Sequence, residues 1–305
     1  MNQKNHCPTV FAIIVTYNPD LKVLDSLVRS LLPQVGGAII VDNRSESDVS
    51  DWHSQLRYEQ LQFAVTGENL GIAAAQNIGL AEARRRGAEF VLLSDQDSQP
   101  AVDMVVQLTS AAQRLISLGV KVAAVGPNYV DVRQNNPPFV RVNGLRVQWL
   151  CRSSKDDVVE VDYVIASGSL IPLRSIDAIG DMREEMFIDY VDVEWALRAR
   201  QHGYRSYGVW AATMMHRHGD SPIAFMGKRY PSHSPLRHYY HFRNAIWLYK
   251  QRYVPLHWKM ADGFHLVRRY FFYCLFARPR RSHCRMMTIG LLDGVKSRLG
   301  RLELT

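Results

Sequence analysis

The sequence predicts an α/β protein with a mainly parallel, right-handed central sheet, because strand and helix patterns alternate along the first two-thirds of the chain. Apolar runs typical of buried strands lie at 10–16, 38–41, 61–65, 90–93, 120–125 and 161–171. Helical patterns lie at 24–31, 72–86, 100–118 and 190–203. Polar residues follow several of the strands, and ligands of open α/β sheets bind where the strands end. From 128 to 150 a turn-rich stretch predicts a hairpin insertion.

Length and composition limit the class of protein. A chain of 305 residues with 47% hydrophobic content can form one large domain, or one domain with an appendage. The polar start of the chain lacks the apolar core of a signal peptide, so we expect a cytoplasmic protein. The four cysteines show no C-x-x-C spacing, and we expect thiols without a disulfide or zinc role.

The net charge of +8 is concentrated in the C-terminal third. Residues 201–305 hold 18 Lys/Arg against 4 Asp/Glu, whereas residues 1–200 hold 19 against 25. Such a segment favours an anionic partner, namely phospholipid, nucleic acid or a phosphorylated substrate. Within it, the uncharged stretch 270–277 is far shorter than the ~20 residues that span a bilayer. Flanking arginines predict either a helix lying in a membrane interface or a core helix with a basic exposed face.

The most informative motif is Asp95-Gln96-Asp97, which follows the apolar strand 90–93 after a single serine. Two carboxylates at the end of a buried strand can hold Mg²⁺ or Mn²⁺, and such an ion commonly carries a diphosphate. For an isolated D-x-D motif, a solvated pair of acids in a loop is the alternative. The strand before it and the motifs described next favour the metal site.

The ends of the first two strands carry Thr16-Tyr17-Asn18 and Asp42-Asn43. A carboxylate or amide at these positions can pair with the edge of a pyrimidine base, and plain turn chemistry is the alternative. Asn18 is also expected to cap the next helix, with Pro19 at its first position.

The segment 68–79 places small residues where a helix begins, and it contains Asn69, Gly71 and Asn77. Small residues let a ligand approach the backbone, and a helix N-terminus favours an anionic diphosphate. Asn77 is a poor helix former, which predicts either a ligand role or a packing role.

Acids and cations also cluster further along the chain. Asp189 and Asp192 are three residues apart, so both can lie on one face of an early helical turn, where one can act as a general base. Acids that interact with the helix dipole are the alternative. His216 can complete a metal site, although His218 competes for this assignment. The stretch 237–244 combines arginines with aromatic rings and suits phosphate and sugar, or a solvated helix over an apolar seam.

Taken in order over residues 10–250, these motifs resemble those of family 2 glycosyltransferases of the GT-A fold. More narrowly, they resemble bacterial L-rhamnosyltransferases that use dTDP-L-rhamnose. The matching motifs are T-Y-N at 16–18, V-D-N at 41–43, N-x-G-x-A-x-A-x-N-x-G at 69–79, L-x-D-Q-D-S at 93–98, F-I-D-x-V-D-x-E at 187–194, H-R-x-G at 216–219 and R-x-Y-Y-x-x-R-N at 237–244.

The resemblance implies a role for each motif. Asp192 is the expected catalytic base of a single displacement with inversion, and Asp97 and His216 are the expected ligands of Mg²⁺ or Mn²⁺. Asp42 and Asn43 would recognise the thymine base, and Asp95 would lie near the ribose or the metal. The other residues expected to bind substrate are Thr16, Tyr17, Asn18, Asn69, Gly71, Asn77, Gln96, Ser167, Gly168, Asp189, Arg237 and Arg243.

One position departs from the family pattern. The family often has Glu before the catalytic Asp, whereas this chain has Val191. A second acid must therefore come from Asp189 or Glu194, or be unnecessary.

The resemblance and the basic C-terminal third together predict an organisation and a set of partners. We expect a nucleotide-sugar-binding catalytic domain at 1–220 and a basic, helical C-terminal segment at 221–305 that contacts the acceptor and an anionic membrane surface. The acceptor is expected to be a glycan or glycolipid, such as lipopolysaccharide core, an O-antigen intermediate or a rhamnolipid precursor. The enzyme would be peripheral on the cytoplasmic face of the inner membrane, with no nucleic acid as partner.

Other functions fit the sequence less well. A family 2 enzyme that uses another nucleotide sugar remains the main alternative. A sugar-phosphate nucleotidyltransferase would carry a Gly-rich loop with Arg and Lys after the first strand, where this chain has 16–19. A nucleic-acid-binding module would leave the acidic motifs unexplained. The chain has neither G-x-G-x-x-G nor G-x-x-x-x-G-K-[ST], which argues against dinucleotide oxidoreductases and P-loop enzymes.

Overall fold

The computed structural model describes residues 9–46, 48–56, 58–130, 139–144, 146–152, 158–215, 220–225 and 228–303. The strands are β1 Val10–Thr16, β2 Gly37–Asp42, β3 Leu61–Val65, β4 Phe90–Asp95, β5 Gln99–Pro100, β6 Val122–Val130, β7 Phe139–Asn143, β8 Arg146–Leu150, β9 Val158–Val161, β10 Leu170–Pro172, β11 Arg205–Met215, β12 Asp220–Phe225 and β13 Lys228–Ser232. The helices are α1 Leu21–Leu31, α2 Val49–Gln55, α3 Ile72–Arg85, α4 Met104–Ser117, α5 Leu173–Ile179, α6 Val191–Gln201, α7 Pro235–Tyr249, α8 Leu256–Phe276 and α9 Arg280–Val295, with short 3-10 helices at Leu32–Gln34 and Glu184–Met186.

The central sheet has nine strands, eight of them in the order β3-β2-β1-β4-β10-β6-β11-β5, while β9 pairs with β11. The four strands from β3 to β4 are parallel, as the sequence predicts, and so are β6 and β11. Between these two groups lies β10, which runs antiparallel to both β4 and β6. The predicted α/β fold class is confirmed.

Both faces of the sheet are buried, which explains why its strands are continuously apolar rather than alternating. In β1, Phe11, Ile13 and Val15 face one core, which also contains residues of α3, α5, α6 and the C-terminal helices α7 to α9. Val10, Ala12 and Ile14 face the other core, against α1 and α4. The helices α7 to α9 thus share a core with the sheet, and the predicted domain boundary at 220/221 stays a prediction.

Several predicted elements are confirmed and others need correction. Strands β1 and β3, helix α3 and the β7–β8 hairpin lie within the predicted stretches, and β2, β4 and α1 extend one to three residues beyond them. Helix α4 begins at Met104 rather than at 100, because Pro100 pairs with Met214 as part of the edge strand β5. The predicted strand at 161–171 is wrong, since the positive φ of Gly168 belongs to a turn that separates β9 from β10.

Candidate functional site

The carboxyl ends of β2, β1 and β4 meet at one edge of the sheet. The register places Thr16 opposite Asp42 and Val15 opposite Asp95. The Thr16 hydroxyl donates a hydrogen bond of 2.8 Å to the Asp42 carboxylate, and both side chains are buried. The Ser45 amide donates to the other oxygen of Asp42. This acid is therefore held rigidly at the end of its strand.

Residues of the first strand's turn are tied to their neighbours. The side chain of Gln96 accepts from the Tyr17 amide at 2.7 Å and donates to its carbonyl at 3.2 Å, so the D-Q-D segment and the T-Y-N turn are fixed side by side. The prediction that Asn18 caps α1 is wrong. Asp20 is the cap, because its carboxylate accepts from the Lys22 amide, whereas the Asn18 side chain accepts from Glu46.

The loop before α3 contacts Asn43 at the end of β2 and Phe187, which precedes Asp189 and Asp192. The Asn43 side chain donates to Asn69 and accepts from the Leu70 amide, which fixes the loop. Gly71 has a φ of +86°, and a Cβ there would lie 2.5 Å from the carbonyl oxygen of Phe187. The Ile72 amide, at the start of α3, donates to that oxygen at 2.7 Å.

This arrangement corrects two predictions for α3. Gly71 leaves room for the backbone of Phe187 rather than for a ligand, and the first amide of the helix donates to the Phe187 carbonyl rather than to a diphosphate. Asn77 donates to the Met182 carbonyl at 2.9 Å and accepts from its amide at 3.0 Å. Its side chain therefore anchors the loop that leads to Asp189 and Asp192, which is the packing role that the sequence left open.

A turn at 166–168 links the D-Q-D segment to Asp192. The Asp95 amide donates to the Ser167 hydroxyl at 3.1 Å, and the hydroxyls of Ser98 and Ser167 are 2.5 Å apart. The Gly168 amide donates to the Leu93 carbonyl of β4. Ser167 is thus committed to holding Asp95 in place, and Gly168 provides the left-handed backbone of the turn at a φ of +82°.

Asp192 lies in the first turn of α6, and its carboxylate is held by two backbone amides. Ala166 donates to Oδ2 at 3.2 Å and Val193 donates to Oδ1 at 2.9 Å. Burial raises the pKa of Asp192 to about 6, although these amides oppose the shift; the charge of Asp189 adds to it. The residue borders a small cavity that Gln76 and Trp195 also line.

Asp189 has a different environment, because it precedes α6 and has a φ of +65°. Its carboxylate pairs with the Arg237 guanidinium at 3.2 Å. Burial alone would raise the pKa of Asp189, but the charge of the Arg237 guanidinium and its hydrogen bonds outweigh burial and lower the pKa. The two predicted acids are therefore close enough to interact, yet only Asp192 has the raised pKa of a general base.

Glu194 is excluded as the second acid. Its side chain is fully buried, and its carboxylate accepts from Arg198 at 2.9 Å and from the Tyr253 hydroxyl at 2.7 Å. The sequence left Asp189 and Glu194 open as the second acid, and of these two only Asp189 remains a candidate.

Comparison with known proteins gives a family. The model of glycosyl transferase family 2 matches residues 11–156. The chain is also 34% identical over 250 residues to the dTDP-rhamnosyl transferase RfbF of Shigella flexneri, and this match covers 81% of the chain and 82% of the relative. The chain belongs to glycosyl transferase family 2. It is therefore a glycosyltransferase, which confirms the predicted enzyme class.

Solved structures agree with the fold of this family 2 glycosyltransferase. GalNAc-T7, solved with UDP, GalNAc and Mn²⁺, superposes with a TM-score of 0.64 at 12% identity, covering 96% of this chain and 56% of that one. TarS of S. aureus gives 0.58 at 16% identity, with coverage of 95% and 49%, so the chain spans about half the length of these two proteins. A shorter form, TarS 1-349 in complex with UDP-GlcNAc, gives 0.57 at 17% identity, with coverage of 95% and 81%.

The prediction that Arg243 of this glycosyltransferase binds substrate is wrong. The residue is fully buried, and its guanidinium donates to the carbonyl oxygens of Glu185, Met186 and Gly300. Asn244 donates to the carbonyls of Ile188 and Asp189. This part of α7 therefore fixes the segment that carries Asp189, instead of reaching a phosphate.

The C-terminal helices of the glycosyltransferase supply further residues that the sequence analysis missed. The hydroxyls of Tyr190 and Tyr249 both donate to Asp262 of α8, at 2.8 and 2.5 Å. Arg269 of α8 lies 3.0 Å from Nε2 of His241. Burial, with Arg269 close by, lowers the pKa of His241 to about 3, so this ring is neutral. The paired arginines at 268–269 were visible in the sequence, but these long-range partners were not.

The metal prediction can be examined only in part. Asp95 and Asp97 are half-buried at the end of β4, and carboxylate oxygens are donors that fit Mg²⁺ or Mn²⁺. Within the described ranges, no group of three His, Cys, Asp or Glu side chains forms a metal cluster. His216 and His218 lie outside those ranges. The third ligand therefore stays a prediction.

Proposed function

We propose that this enzyme is an inverting glycosyltransferase that moves L-rhamnose from dTDP-L-rhamnose to a hydroxyl group of a cell-surface glycan or glycolipid. The observation that carries the proposal is the position of Asp192. A carboxylate with a pKa raised to about 6 is joined through the turn 166–168 to the D-Q-D segment at the carboxyl-terminal edge of the sheet. The similarity to a dTDP-rhamnosyl transferase supports the choice of donor.

Asp192 is the general base in this mechanism. Its carboxylate is ionised at neutral pH and is more basic than an ordinary aspartate, so it accepts the proton of the acceptor hydroxyl. The hydroxyl oxygen forms a bond to the anomeric carbon of the sugar, and the bond from that carbon to the diphosphate oxygen breaks on the opposite face. The electron pair leaves with dTDP. Asp189 is less suited to this role, because its pairing with Arg237 lowers its pKa.

The nucleotide is proposed to bind along the ends of β1, β2 and β4. Thr16 and Ser45 hold the Asp42 carboxylate, which has acceptor capacity left for the imide N–H of thymine. Asn43 spends its amide on Asn69 and Leu70, so its contribution is to shape the wall of the site. Gln96 fixes Tyr17, whose half-exposed ring is available for stacking.

A divalent cation is proposed to join this site. Asp97, together with Asp95, would hold Mg²⁺ or Mn²⁺, with His216 as the further ligand, and Mn²⁺ accompanies UDP in the GalNAc-T7 structure. Such an ion, when bound, offsets negative charge that develops on the diphosphate leaving group. The protein's part is to place the carboxylates, and Ser167 and the β4 backbone hold the main chain of Asp95 for this purpose.

We also propose that the enzyme works at the cytoplasmic face of the inner membrane, where a glycolipid acceptor would present its hydroxyl. None of the helices in the described ranges has both the length and the apolar character needed to cross a bilayer. The basic C-terminal third supports attachment to an anionic surface instead.

A donor screen tests the proposed function. The purified enzyme is heated with dTDP-L-rhamnose, UDP-sugars or GDP-sugars in the presence of Mn²⁺ or Mg²⁺, and its melting temperature is recorded. We expect the largest increase with dTDP-L-rhamnose, because a ligand that binds only the folded state stabilises it. The second readout is turnover of the donor in the presence of a mixture of glycan and glycolipid acceptors, which is measured as the release of dTDP. If a UDP- or GDP-sugar gave a larger increase in melting temperature and faster turnover, that sugar would be the donor instead of dTDP-L-rhamnose. If the enzyme responded to none of the nucleotide sugars, the proposal would be overturned.

A further inference from the structure

Helix α8 presents an apolar stripe to solvent. Its members are more than half exposed, with relative exposures of 72% for Leu256, 52% for Met260, 64% for Phe264, 56% for Val267, 61% for Phe271 and 58% for Leu275. Their spacing of three and four residues places them on one face of the helix. The stripe extends over about 28 Å of helix length. Monomeric proteins rarely expose apolar surface of this extent without a partner.

The opposite face of α8 is fully used by the protein. Trp258, Leu266 and Tyr273 are buried in the core, and Asp262 accepts from the hydroxyls of Tyr190 and Tyr249. The helix is therefore anchored on its inner side. Its outer stripe does not contribute to the fold described above and is available to a partner.

The charged residues along the second half of α8 and the start of α9 have one sign. Between Asp262 and Asp293 the chain contains no acidic residue and six arginines, which are Arg268, Arg269, Arg278, Arg280, Arg281 and Arg285. Arg268, Arg278, Arg280, Arg281 and Arg285 are exposed, whereas the guanidinium of Arg269 is directed at His241. Arg268 lies over the ring of Phe264, with its guanidinium carbon 5.7 Å from the ring centroid. Apolar surface and positive charge are thus interleaved along α8 and the start of α9.

This charge decides between two kinds of partner. A second copy of the chain, related by a two-fold axis, would bring the same stripe and the same arginines face to face. With no acid in the stretch to offset them, the arginines of the two copies would repel one another. An anionic bilayer offers apolar chains to the stripe and phosphate groups to the arginines.

We propose that the outer face of α8 is a membrane-binding face, in which the stripe enters the interface of an anionic bilayer and the arginines contact lipid phosphates. This face specifies the membrane location proposed above, and it does not depend on which sugar is transferred. Arg269 is the exception among the arginines, because it turns inward to His241. Helix α8 would then lie between the bilayer and the segment 189–192. The segment would be separated from the bilayer by about 10 Å, which is one helix diameter.

Sedimentation with lipid vesicles tests this face. The full-length enzyme is mixed, without donor or acceptor, with vesicles of phosphatidylcholine containing one-quarter phosphatidylglycerol, or of phosphatidylcholine alone. We expect binding to the anionic vesicles that weakens as salt is raised, and at least about 10-fold weaker binding to the neutral ones.

Two sets of variants locate the binding. The double variant Phe264→Glu/Phe271→Glu should lose at least about 30-fold in affinity, because two aromatic anchors are removed from the interface. The control Val102→Glu/Leu118→Glu makes the same change at two residues that are 89% and 73% exposed elsewhere, and it should bind like the wild type. Arg280→Gln/Arg281→Gln should reduce both the affinity and its dependence on salt. Since all these side chains are exposed, unchanged melting temperatures verify the fold.

The possible results differ clearly. Equal affinity of the Phe264→Glu/Phe271→Glu variant and the wild type would overturn the proposed face, as would equal binding to neutral and anionic vesicles. A concentration-dependent dimer in light scattering that this variant abolishes, without vesicle binding by the wild type, would assign the stripe to a second copy instead. Vesicle binding is measured without sugar transfer, so failure of the proposed reaction would leave the result unchanged.

Discussion

The backbone amide of Ala166 donates a hydrogen bond of 3.2 Å to the carboxylate of Asp192. The next residue, Ser167, accepts from the Asp95 amide at 3.1 Å. A single turn therefore fixes the distance between the proposed base and the acids at the end of β4. In a displacement reaction, the position of the base relative to the leaving group decides how well the acceptor hydroxyl is aligned with the bond that breaks.

Replacing the proposed base should separate catalysis from binding. Asp192→Asn keeps one side-chain oxygen, which can accept from one of the two amides of Ala166 and Val193 but cannot take up the proton, so turnover should fall by at least about 100-fold. The dissociation constant of the donor, measured by calorimetry, should stay within about threefold of the wild-type value. The conservative control is Asp103→Asn, an exposed acid before α4. Near-full turnover of Asp192→Asn would remove Asp192 from the mechanism.

The raised pKa of Asp192 predicts the pH dependence of transfer. Above a pH of about 6 the carboxylate is ionised and can accept a proton, whereas below it the carboxyl is protonated and inactive as a base. We expect kcat/KM to fall about tenfold per pH unit below this value. The measurement is a rate profile from pH 4.5 to 8.5 at constant ionic strength, restricted to the range in which circular dichroism shows a folded enzyme. An acid limb near pH 4 would indicate an ordinary carboxylate.

Asp189 should act on this limb through its charge. Because the negative charge of Asp189 contributes to the raised pKa of Asp192, the Asp189→Asn variant should lower that pKa and shift the limb to lower pH. The variant also releases Arg237 from its pairing, so we expect kcat to fall by up to about tenfold. A structural role alone would lower the rate equally at every pH. An unshifted limb would therefore argue against electrostatic coupling of the two acids.

Much of the fold follows from local sequence patterns. The apolar runs of β1, β2 and β4 are buried on both faces, and the positions Leu24, Leu27, Val28 and Leu31 of α1 all lie in the core. The reversal before β10 was harder to predict. The run 161–171 is largely apolar, and only Gly168 marks the turn, so pattern alone does not separate one strand from two.

The site was predictable where it depends on strand ends and not where it depends on distant partners. Parallel strands bring Thr16, Asp42 and Asp95 together by register, and this can be inferred from their order. By contrast, the sequence around Gly71 does not indicate that it contacts Phe187, and the sequence around Asn77 does not indicate that it binds Met182. An arginine can bind a phosphate or backbone carbonyls equally well. Only the structure, in which Arg243 is buried and donates to carbonyl oxygens, distinguishes the two.

Removal of divalent cations should abolish transfer. With EDTA in excess, activity should fall by at least about 100-fold and return with Mn²⁺ or Mg²⁺, because the diphosphate leaving group then lacks the charge that offsets its own. In the Asp97→Asn variant, the concentration of Mn²⁺ needed for half-maximal activity should rise, while Asp103→Asn should respond like the wild type. Undiminished transfer in EDTA would discard the metal role of Asp95 and Asp97.

The buried guanidinium of Arg243 should matter for stability rather than for donor binding. Arg243→Met leaves the carbonyl oxygens of Glu185, Met186 and Gly300 without their donor, so the free energy of unfolding should fall by about 3 kcal/mol. The exposed Arg252 provides the control, and Arg252→Met should change stability by less than about 0.5 kcal/mol. Urea titration gives both values, and KM for the donor is measured at a temperature where each variant is folded. Since the Arg243 side chain makes its contacts inside the protein, KM for the donor should be unchanged. A large increase in KM without loss of stability would show that Arg243 binds substrate after all.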